Sequence, residues 1–108
     1  MRNLAQFTDW KAHVFYRMSR LHFDDDRFED LLAWAESVKP RVEEIQGLVF
    51  ADIARTEVGA GMILAGYESE SDFESARATV SELFDEMAGF LADRPHTHAG
   101  SSEFSFKD

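Results

Sequence analysis

The sequence predicts an α+β fold, a ferredoxin-like sandwich with the element order β-α-β-β-α-β. Two long segments repeat apolar residues at the period of an α-helix, and four shorter segments are rich in the aromatic and branched residues that favour strands. Their order along the chain is that of a split βαβ motif. With 108 residues and 44% apolar content the chain can bury one core, so we expect one domain over residues 1–108, with residues 1–11 as an N-terminal extension.

The first strand is predicted over residues 13–21, where polar side chains fall mainly at alternate positions. Asp25 or Asp26 then offers an N-cap, and the apolar residues that follow repeat at a 3.6-residue period. We therefore expect a helix that ends near Gly47. Pro40 lies inside this pattern and has no amide donor, so we expect a kink or a break there.

The second half of the chain predicts a hairpin, a helix and a short strand. Residues 48–55 and 61–67 are strand-like and are separated by a glycine-bearing turn. The segment that begins at Ser71 offers a helix cap, and an apolar stripe then repeats at helical spacing over residues 73–91. Residues 103–106 alternate apolar and polar side chains, which predicts a closing strand at an edge of the sheet.

Charge and composition exclude several classes of function. The 21 acidic and 11 basic side chains give a formal net charge of -10, which repels phosphate backbones and anionic headgroups. We therefore predict no nucleic-acid partner and no membrane partner. The chain has no cysteine, which excludes disulfides and thiolate metal sites. Because we find neither a signal-like N-terminus nor an apolar run of ~20 residues, we expect a cytoplasmic protein.

The two middle strands are apolar on both faces, and this predicts a homodimer. One face carries Leu48, Phe50 and Ala54, and the other carries Val49, Ala51 and Ile53. Two helices cover only one face of a small sheet, so we expect the second face to meet its copy in a twofold-symmetric dimer, which makes the predicted fold a homodimeric α+β barrel. In the alternative arrangement, Phe7, Trp10 and the segment 94–100 cover this face within one chain.

Arg17 and Asp52 are candidate catalytic residues because both are ionisable and lie within apolar strand runs. If they face one cleft, Arg17 orients a carboxylate or phenolate and Asp52 acts as a base. The structural alternative is an ion pair within the sheet. If the protein acts on a small molecule, we expect Phe15, Trp34, Phe50 and Tyr67 to line its cavity.

His96 and His98 are the candidate metal ligands. In an extended loop their spacing places both imidazoles on one side, where they could bind a divalent metal together with a carboxylate. Two histidines are fewer ligands than such sites hold, and the sequence indicates no third. We therefore predict a solvated loop and no metal, with His96 and His98 as the alternative. No cofactor is predicted.

Two short segments carry a resemblance to known proteins. One is Gly66-Tyr67-Glu68-Ser69, and the other is Met87-Ala88-Gly89-Phe90-Leu91 followed by Arg94-Pro95. Together with the element order and the two-sided sheet, they resemble the dimeric α+β barrel superfamily, which includes antibiotic-biosynthesis-monooxygenase-like and stress-responsive barrel proteins. The resemblance covers about residues 12 to 107. It implies a homodimer that often holds a small hydrophobic or aromatic ligand, with some members acting as cofactor-free monooxygenases or haem degraders.

The chain departs from that superfamily in two places. Many monooxygenase-like members have a histidine within the second helix, whereas residues 73–91 contain none. The haem-degrading branch uses an asparagine near the first strand, whereas the only asparagine here is Asn3. No catalytic residue is therefore carried over. We predict a non-catalytic small-molecule-binding or stress-associated module, and the alternative is a cofactor-free monooxygenase acting on an aromatic or polyketide-like small molecule.

Overall fold

The computed structural model describes residues 14–106 and confirms the predicted α+β class. The strands are β1 (Phe15–His22), β2 (Leu48–Glu57), β3 (Ala60–Tyr67) and β4 (His96–Ser101), and the helices are α1 (Phe28–Glu43), α2 (Glu70–Ser75) and α3 (Arg77–Met87). A 3-10 turn, Asp25–Arg27, precedes α1, and another, Ala88–Phe90, follows α3. The strands form an antiparallel sheet in the order β2-β3-β1-β4, which is the split βαβ arrangement.

Cross-strand register decides which side chains meet the helices. Arg17 on β1 pairs with Ala65 on β3, and Ala65 pairs with Ala51 on β2. Residues directly opposite one another in an antiparallel pair point to the same face, so these three share one side of the sheet. We call it the helix-facing side, because Ala65 belongs to a core cluster that includes Val80 of α3.

The core consists of two clusters between the helix-facing side and the helices. One cluster joins Leu21, Phe23, Leu31 and Met87, and the other joins Ala65, Tyr67, Ala76 and Val80. Burying a large apolar side chain stabilises the fold by about 1.5–3 kcal/mol. Both helical segments therefore obtain their main stabilisation from this one side of the sheet.

The opposite side, which we call the outer face, has an apolar centre. Its half-buried central side chains are Tyr16, Met18, Phe50, Met62 and Leu64. The segment 94–100 does not cover them as the single-chain alternative requires, because its residues from His96 onward extend the sheet as β4. Phe7 and Trp10 lie outside the described residues. The outer face is thus apolar surface that the described helices leave open.

The start and course of α1 differ from the prediction. Asp25 and Asp26 do not cap the helix, since both lie in the preceding 3-10 turn, and the helix begins without a side-chain cap. The Asp25 carboxylate instead accepts a hydrogen bond from the Gly59 amide at 3.3 Å. Of the predicted kink or break at Pro40, the break is absent, because α1 continues to Glu43, and the kink stays a prediction. Pro40 lies near the exposed end of the helix, where water can bind the carbonyl that lacks a donor.

The second helical region begins earlier than predicted. Its cap is Ser69, not Ser71, and the Ser69 hydroxyl accepts a hydrogen bond from the Asp72 amide at 3.1 Å. The region is divided at Ala76 into α2 and α3. Its predicted apolar stripe is confirmed, because Ala76, Val80, Leu83 and Met87 are buried.

Two strand assignments were wrong. The closing strand is His96–Ser101 and not 103–106, and the rings of Phe104 and Phe106 pack edge to face while remaining 72% and 97% exposed. Leu48 was placed on the same face as Phe50, but a bulge between them turns Leu48 to the helix-facing side. The first strand begins at Phe15, and the first predicted strand residue, His13, lies outside the described residues.

Among residues 14–106, no helix combines the length and the apolar character needed to cross a bilayer. The cytoplasmic location and the single domain over residues 1–108 stay predictions.

Candidate functional site

A cavity of about 670 Å³ lies between α1, α3 and the helix-facing side of the sheet. Its apolar wall consists of Leu32, Trp34, Ala35, Val38, Val42, Ile45, Leu48, Ala51, Ile53, Ile63, Ala65, Val80, Leu83, Phe84 and Met87. Its ionisable residues are Arg17, Glu36, Lys39 and Asp52, of which Arg17 alone is buried. Small-molecule sites commonly have this volume and a mainly apolar wall with few polar groups.

Arg17 reaches the cavity because side chains of β1 alternate between the two faces of the sheet, and Arg17 lies on the helix-facing side. Ser19 and Leu21 follow it on the same helix-facing side, and both are fully buried. Only 8% of Arg17 is exposed. The central position of β1 in the sheet places this side chain beneath the helices, between the two core clusters.

The Arg17 guanidinium donates a hydrogen bond to the hydroxyl of Tyr67, which is fully buried on β3. It also lies over two rings, at 5.3 Å from the centre of Tyr67 and 5.8 Å from the centre of Phe84. Among residues 14–106, no carboxylate forms an ion pair with it. Within the same part of the chain, its buried Nε atom has no hydrogen-bond partner. Among the described residues, the Tyr67 hydroxyl and the two aromatic faces therefore supply the favourable contacts of this charge.

Burial shifts the pKa values of both Arg17 and Tyr67. Loss of hydration lowers the pKa of Arg17, and the interaction with Tyr67 opposes that shift. Loss of hydration raises the pKa of Tyr67, and the nearby guanidinium opposes that shift. Arginine remains charged in proteins at neutral pH, and a tyrosine with a raised pKa remains neutral. The Arg17–Tyr67 pair therefore carries a net positive charge.

Trp34 forms part of the cavity wall on α1 and is tied to α3 by one carboxylate. The Glu86 carboxylate accepts a hydrogen bond from the Trp34 indole at 3.4 Å. The same carboxylate accepts two from Arg41, at 3.0 and 2.7 Å. A bidentate arginine-carboxylate pair has defined geometry, so Glu86 fixes α1 against α3 beside the cavity.

The structure separates the two residues that the sequence proposed as a catalytic pair. Asp52 pairs with Leu64 on the outer face, whereas Arg17 faces the helices, so the two side chains lie on opposite faces of the sheet and form no ion pair, although both residues border the cavity. Asp52 is exposed. Whether either residue takes part in a reaction stays a prediction.

The four proposed ligand-binding residues occupy three separate environments. Trp34 lies on the cavity wall. Phe15 and Tyr67 pack within the core, where Phe73 contacts both rings at centre distances of 4.9 and 5.7 Å. Phe50 lies on the outer face, 6.1 Å from the ring of Tyr16. They do not line one cavity together.

The sequence missed two contributors to the site. Phe84 lies under the Arg17 guanidinium, and Glu86 holds Trp34 in place. Phe84 was recognised as part of an apolar helix stripe, which is a signal for burial and not for contact with a charge. Glu86 lies on the polar side of that stripe, where the sequence pattern is that of any exposed helix residue.

The histidine pair is arranged differently from the prediction. His96 and His98 lie in β4 and not in a loop, and both point to the outer face. The ligand atoms that converge belong to His22, Asp93 and His96, and all lie within 4.8 Å of one another. His98 is not part of this group.

No protein-family profile matches the sequence, and no curated protein matches it. Solved structures do match the fold. A monooxygenase of Streptomyces coelicolor, solved with the ligand nanaomycin D, is 19% identical, with a TM-score of 0.74 over 90% of this chain and 94% of that chain. A dimeric ferredoxin-like protein from an uncultured marine organism is 15% identical, with a TM-score of 0.73 over 94% and 98%.

The fold is ferredoxin-like. A conserved protein from Methanosarcina mazei Go1 has the same fold at 8% identity, with a TM-score of 0.75 over 89% of this chain and 98% of that chain. The resemblance to monooxygenase-like barrel proteins is thus confirmed for the architecture. Because one fold hosts many activities, this likeness assigns no reaction to the chain.

Proposed function

We propose that the protein is a homodimeric module that binds a small, largely apolar anion, such as an aromatic or polyketide-like carboxylate or phenolate. The observation that carries this proposal is the buried Arg17 guanidinium, which faces an apolar cavity without a carboxylate partner among the described residues. An uncompensated buried charge is costly in free energy. An anionic ligand would offset that cost.

The wall of the cavity favours a ligand with an apolar body. Trp34 and Phe84 offer aromatic surface, and most other wall residues are aliphatic. A planar aromatic acid would place its ring among these side chains and its carboxylate or phenolate on the guanidinium. Hydrogen bonds that involve a charged group contribute about 1.5–3 kcal/mol, so charge recognition should exceed tenfold in affinity.

Binding can be tested with 2-naphthoate and its uncharged analogue 2-naphthamide. We expect fluorescence or calorimetric titration to show at least about tenfold tighter binding of the carboxylate, and Arg17→Met to abolish that preference. Arg20→Met is the matched control, because Arg20 lies on the same strand but is exposed on the outer face. Equal binding of the acid and the amide by the unmodified protein would refute the proposal.

The homodimer is supported by the uncovered outer face. Its apolar centre lies opposite the helices, and a self-complementary patch of this kind favours closed twofold pairing. Phe104 and Phe106 add exposed aromatic surface after β4. The marine ferredoxin-like protein with this fold is described as dimeric, which agrees with the same arrangement here.

Light scattering after size exclusion tests the assembly. We expect a dimer at low micromolar concentration, and Leu64→Arg on the outer face should produce a monomer. Leu32→Arg is the control, because Leu32 is 42% exposed on α1, away from that face. A monomeric unmodified protein, or a dimer that tolerates Leu64→Arg, would contradict pairing through the outer face.

Oxygenation of a bound phenol is the second candidate. A guanidinium beside a phenol favours its anion, and an electron-rich phenolate can react with O₂ to give a quinone and water. The S. coelicolor monooxygenase has the same fold. The test is O₂ uptake with 1-naphthol, where one O₂ should be consumed for each naphthoquinone formed. Binding of naphthoate without any O₂ uptake would leave the binding module as the function.

A further inference from the structure

The second cluster of chemically active side chains lies at the edge of the sheet, away from the cavity. His22 ends β1, His96 begins β4, and Asp93 lies in the segment before β4. The Nδ1 atom of His22 is 3.3 Å from the Oδ1 atom of Asp93, and the two imidazole rings have centres 6.3 Å apart. All three residues thus offer a ligand atom to one position.

The fold itself brings these three residues together. In the antiparallel pairing of β1 with β4, His96 is opposite Arg20, and His22 lies two residues farther along β1 on the same face. The amide of Ala92 donates a hydrogen bond to the carbonyl of His22 at 2.8 Å. This backbone bond holds the segment that carries Asp93 against the end of β1.

The spacing is suited to a small metal ion. Bonds of about 2.0–2.2 Å to nitrogen and oxygen in tetrahedral geometry place neighbouring ligand atoms roughly 3.3–3.5 Å apart. The separation between His22 and Asp93 already has this value, and all three ligand atoms lie within 4.8 Å. A small rotation of the His96 side chain, which is exposed, would bring its nitrogen to the ion.

We propose that His22, Asp93 and His96 bind one divalent transition-metal ion, with water in the remaining coordination positions. Two imidazoles and one carboxylate suit Zn²⁺, Ni²⁺ or Cu²⁺, whereas Ca²⁺ and Mg²⁺ require sets of oxygen ligands. The net charge of -10 attracts cations, although Arg20 opposes this locally from its position opposite His96.

This site replaces the histidine pair that the sequence suggested. His98 is on the same face as His96 but lies opposite Met18, which precedes Arg20 by two residues in β1, so His98 is displaced in the direction away from His22. The carboxylate and the second imidazole come from residues distant in sequence. A metal ion here would connect β4, an edge strand, to β1 and would stabilise the native state by mass action.

The experiment is a calorimetric titration of the full chain, without a histidine tag, with Zn²⁺. We expect one ion per chain, a rise in melting temperature with Zn²⁺, and at least about tenfold weaker binding for His22→Gln and for Asp93→Asn, because even changes in residues that only support metal ligands have effects of this size. His98→Gln is the matched control, since it removes a histidine from the same face of β4 but not from the cluster.

Each result decides the proposal. Loss of affinity in both cluster variants, with His98→Gln unchanged, supports the site. The proposal is overturned if the unmodified chain shows no heat above buffer, or if His98→Gln weakens binding while His22→Gln does not. Circular dichroism of each variant without metal separates loss of a ligand from loss of folding. The proposed metal site stands or fails independently of the anion-binding cavity.

Discussion

The guanidinium of Arg17 donates a hydrogen bond to the hydroxyl of Tyr67, which lies diagonally across the β1–β3 pair on the helix-facing side. One donor is satisfied by this bond, while the buried Nε atom has no partner among the described residues. A core that needed only stability would favour apolar side chains at both positions. The pair therefore keeps a buried positive charge in the core at a cost in stability.

Replacing both members of the pair should stabilise the protein. The double variant Arg17→Met with Tyr67→Phe removes a buried charge and leaves no orphaned hydroxyl, so we expect the free energy of unfolding to rise by about 1–4 kcal/mol. Urea unfolding with a two-state fit measures the change. Arg17→Met alone should gain less, because the Tyr67 hydroxyl loses its donor. A less stable double variant would show that Arg17 has a structural partner.

A hydrogen bond between Ser19 and Thr97 should hold the edge strand in place. Their hydroxyl oxygens are 2.8 Å apart, and Ser19 is fully buried whereas Thr97 is exposed. We expect Thr97→Val to cost about 1–3 kcal/mol, because it leaves the buried Ser19 hydroxyl unsatisfied. Ser19→Ala should cost less, since water can bind Thr97. A double-mutant cycle measures the coupling, and strictly additive effects would contradict it.

The sequence predicted those parts of the fold that depend on local periodicity. Alternation in β1 placed Arg17, Ser19 and Leu21 on one face, and that face is buried as a unit. The helical period identified the stripe that contains Val80 and Met87. Both patterns arise from the geometry of one element, so no knowledge of its neighbours is required.

The errors involve relationships between elements. A single bulge after Leu48 places the Leu48 side chain on the opposite face of the sheet, and no residue type in the strand predicts this bulge. The sequence left open whether Asp52 and Arg17 share a face of the sheet, because the register that places them on opposite faces is set by pairing through β3. The pairing of His22 with Asp93 also depends on a contact between residues far apart in sequence. Candidate sites assembled from distant residues therefore required the tertiary structure.

Gly47 should not tolerate a side chain. Its φ of +78° lies in the left-handed region, and an added Cβ would overlap the Asp72 carboxylate at the start of α2. Left-handed backbone costs about 1–2 kcal/mol for a residue with a Cβ, so we expect Gly47→Ala to lose at least that much stability. Thermal unfolding provides the measurement. Gly89→Ala is the control, because its added Cβ would meet nothing within 4 Å, and equal effects of the two substitutions would contradict the argument.

The carboxylate of Glu86 should make stability and cavity shape depend on pH. The hydrogen bonds from Arg41 lower the pKa of Glu86 in the folded protein, and the bond from Trp34 acts in the same direction. The unfolded chain therefore binds this proton at a higher pH than the folded chain does. The stabilisation is present above the usual glutamate pKa of about 4.3 and is lost as the pH falls through the lower folded value.

Glu86→Gln tests this dependence. We expect the variant to be less stable than the unmodified protein at pH 7, with the difference shrinking toward pH 3, and urea midpoints across that range measure it. Since Glu86 also holds Trp34, the variant should weaken naphthoate binding at pH 7. Glu57→Gln removes an exposed carboxylate at the end of β2 that does not line the cavity, and should leave binding unchanged. If the difference in stability between Glu86→Gln and the unmodified protein is the same at every pH, then the charge of Glu86 does not contribute to the contact between α1 and α3.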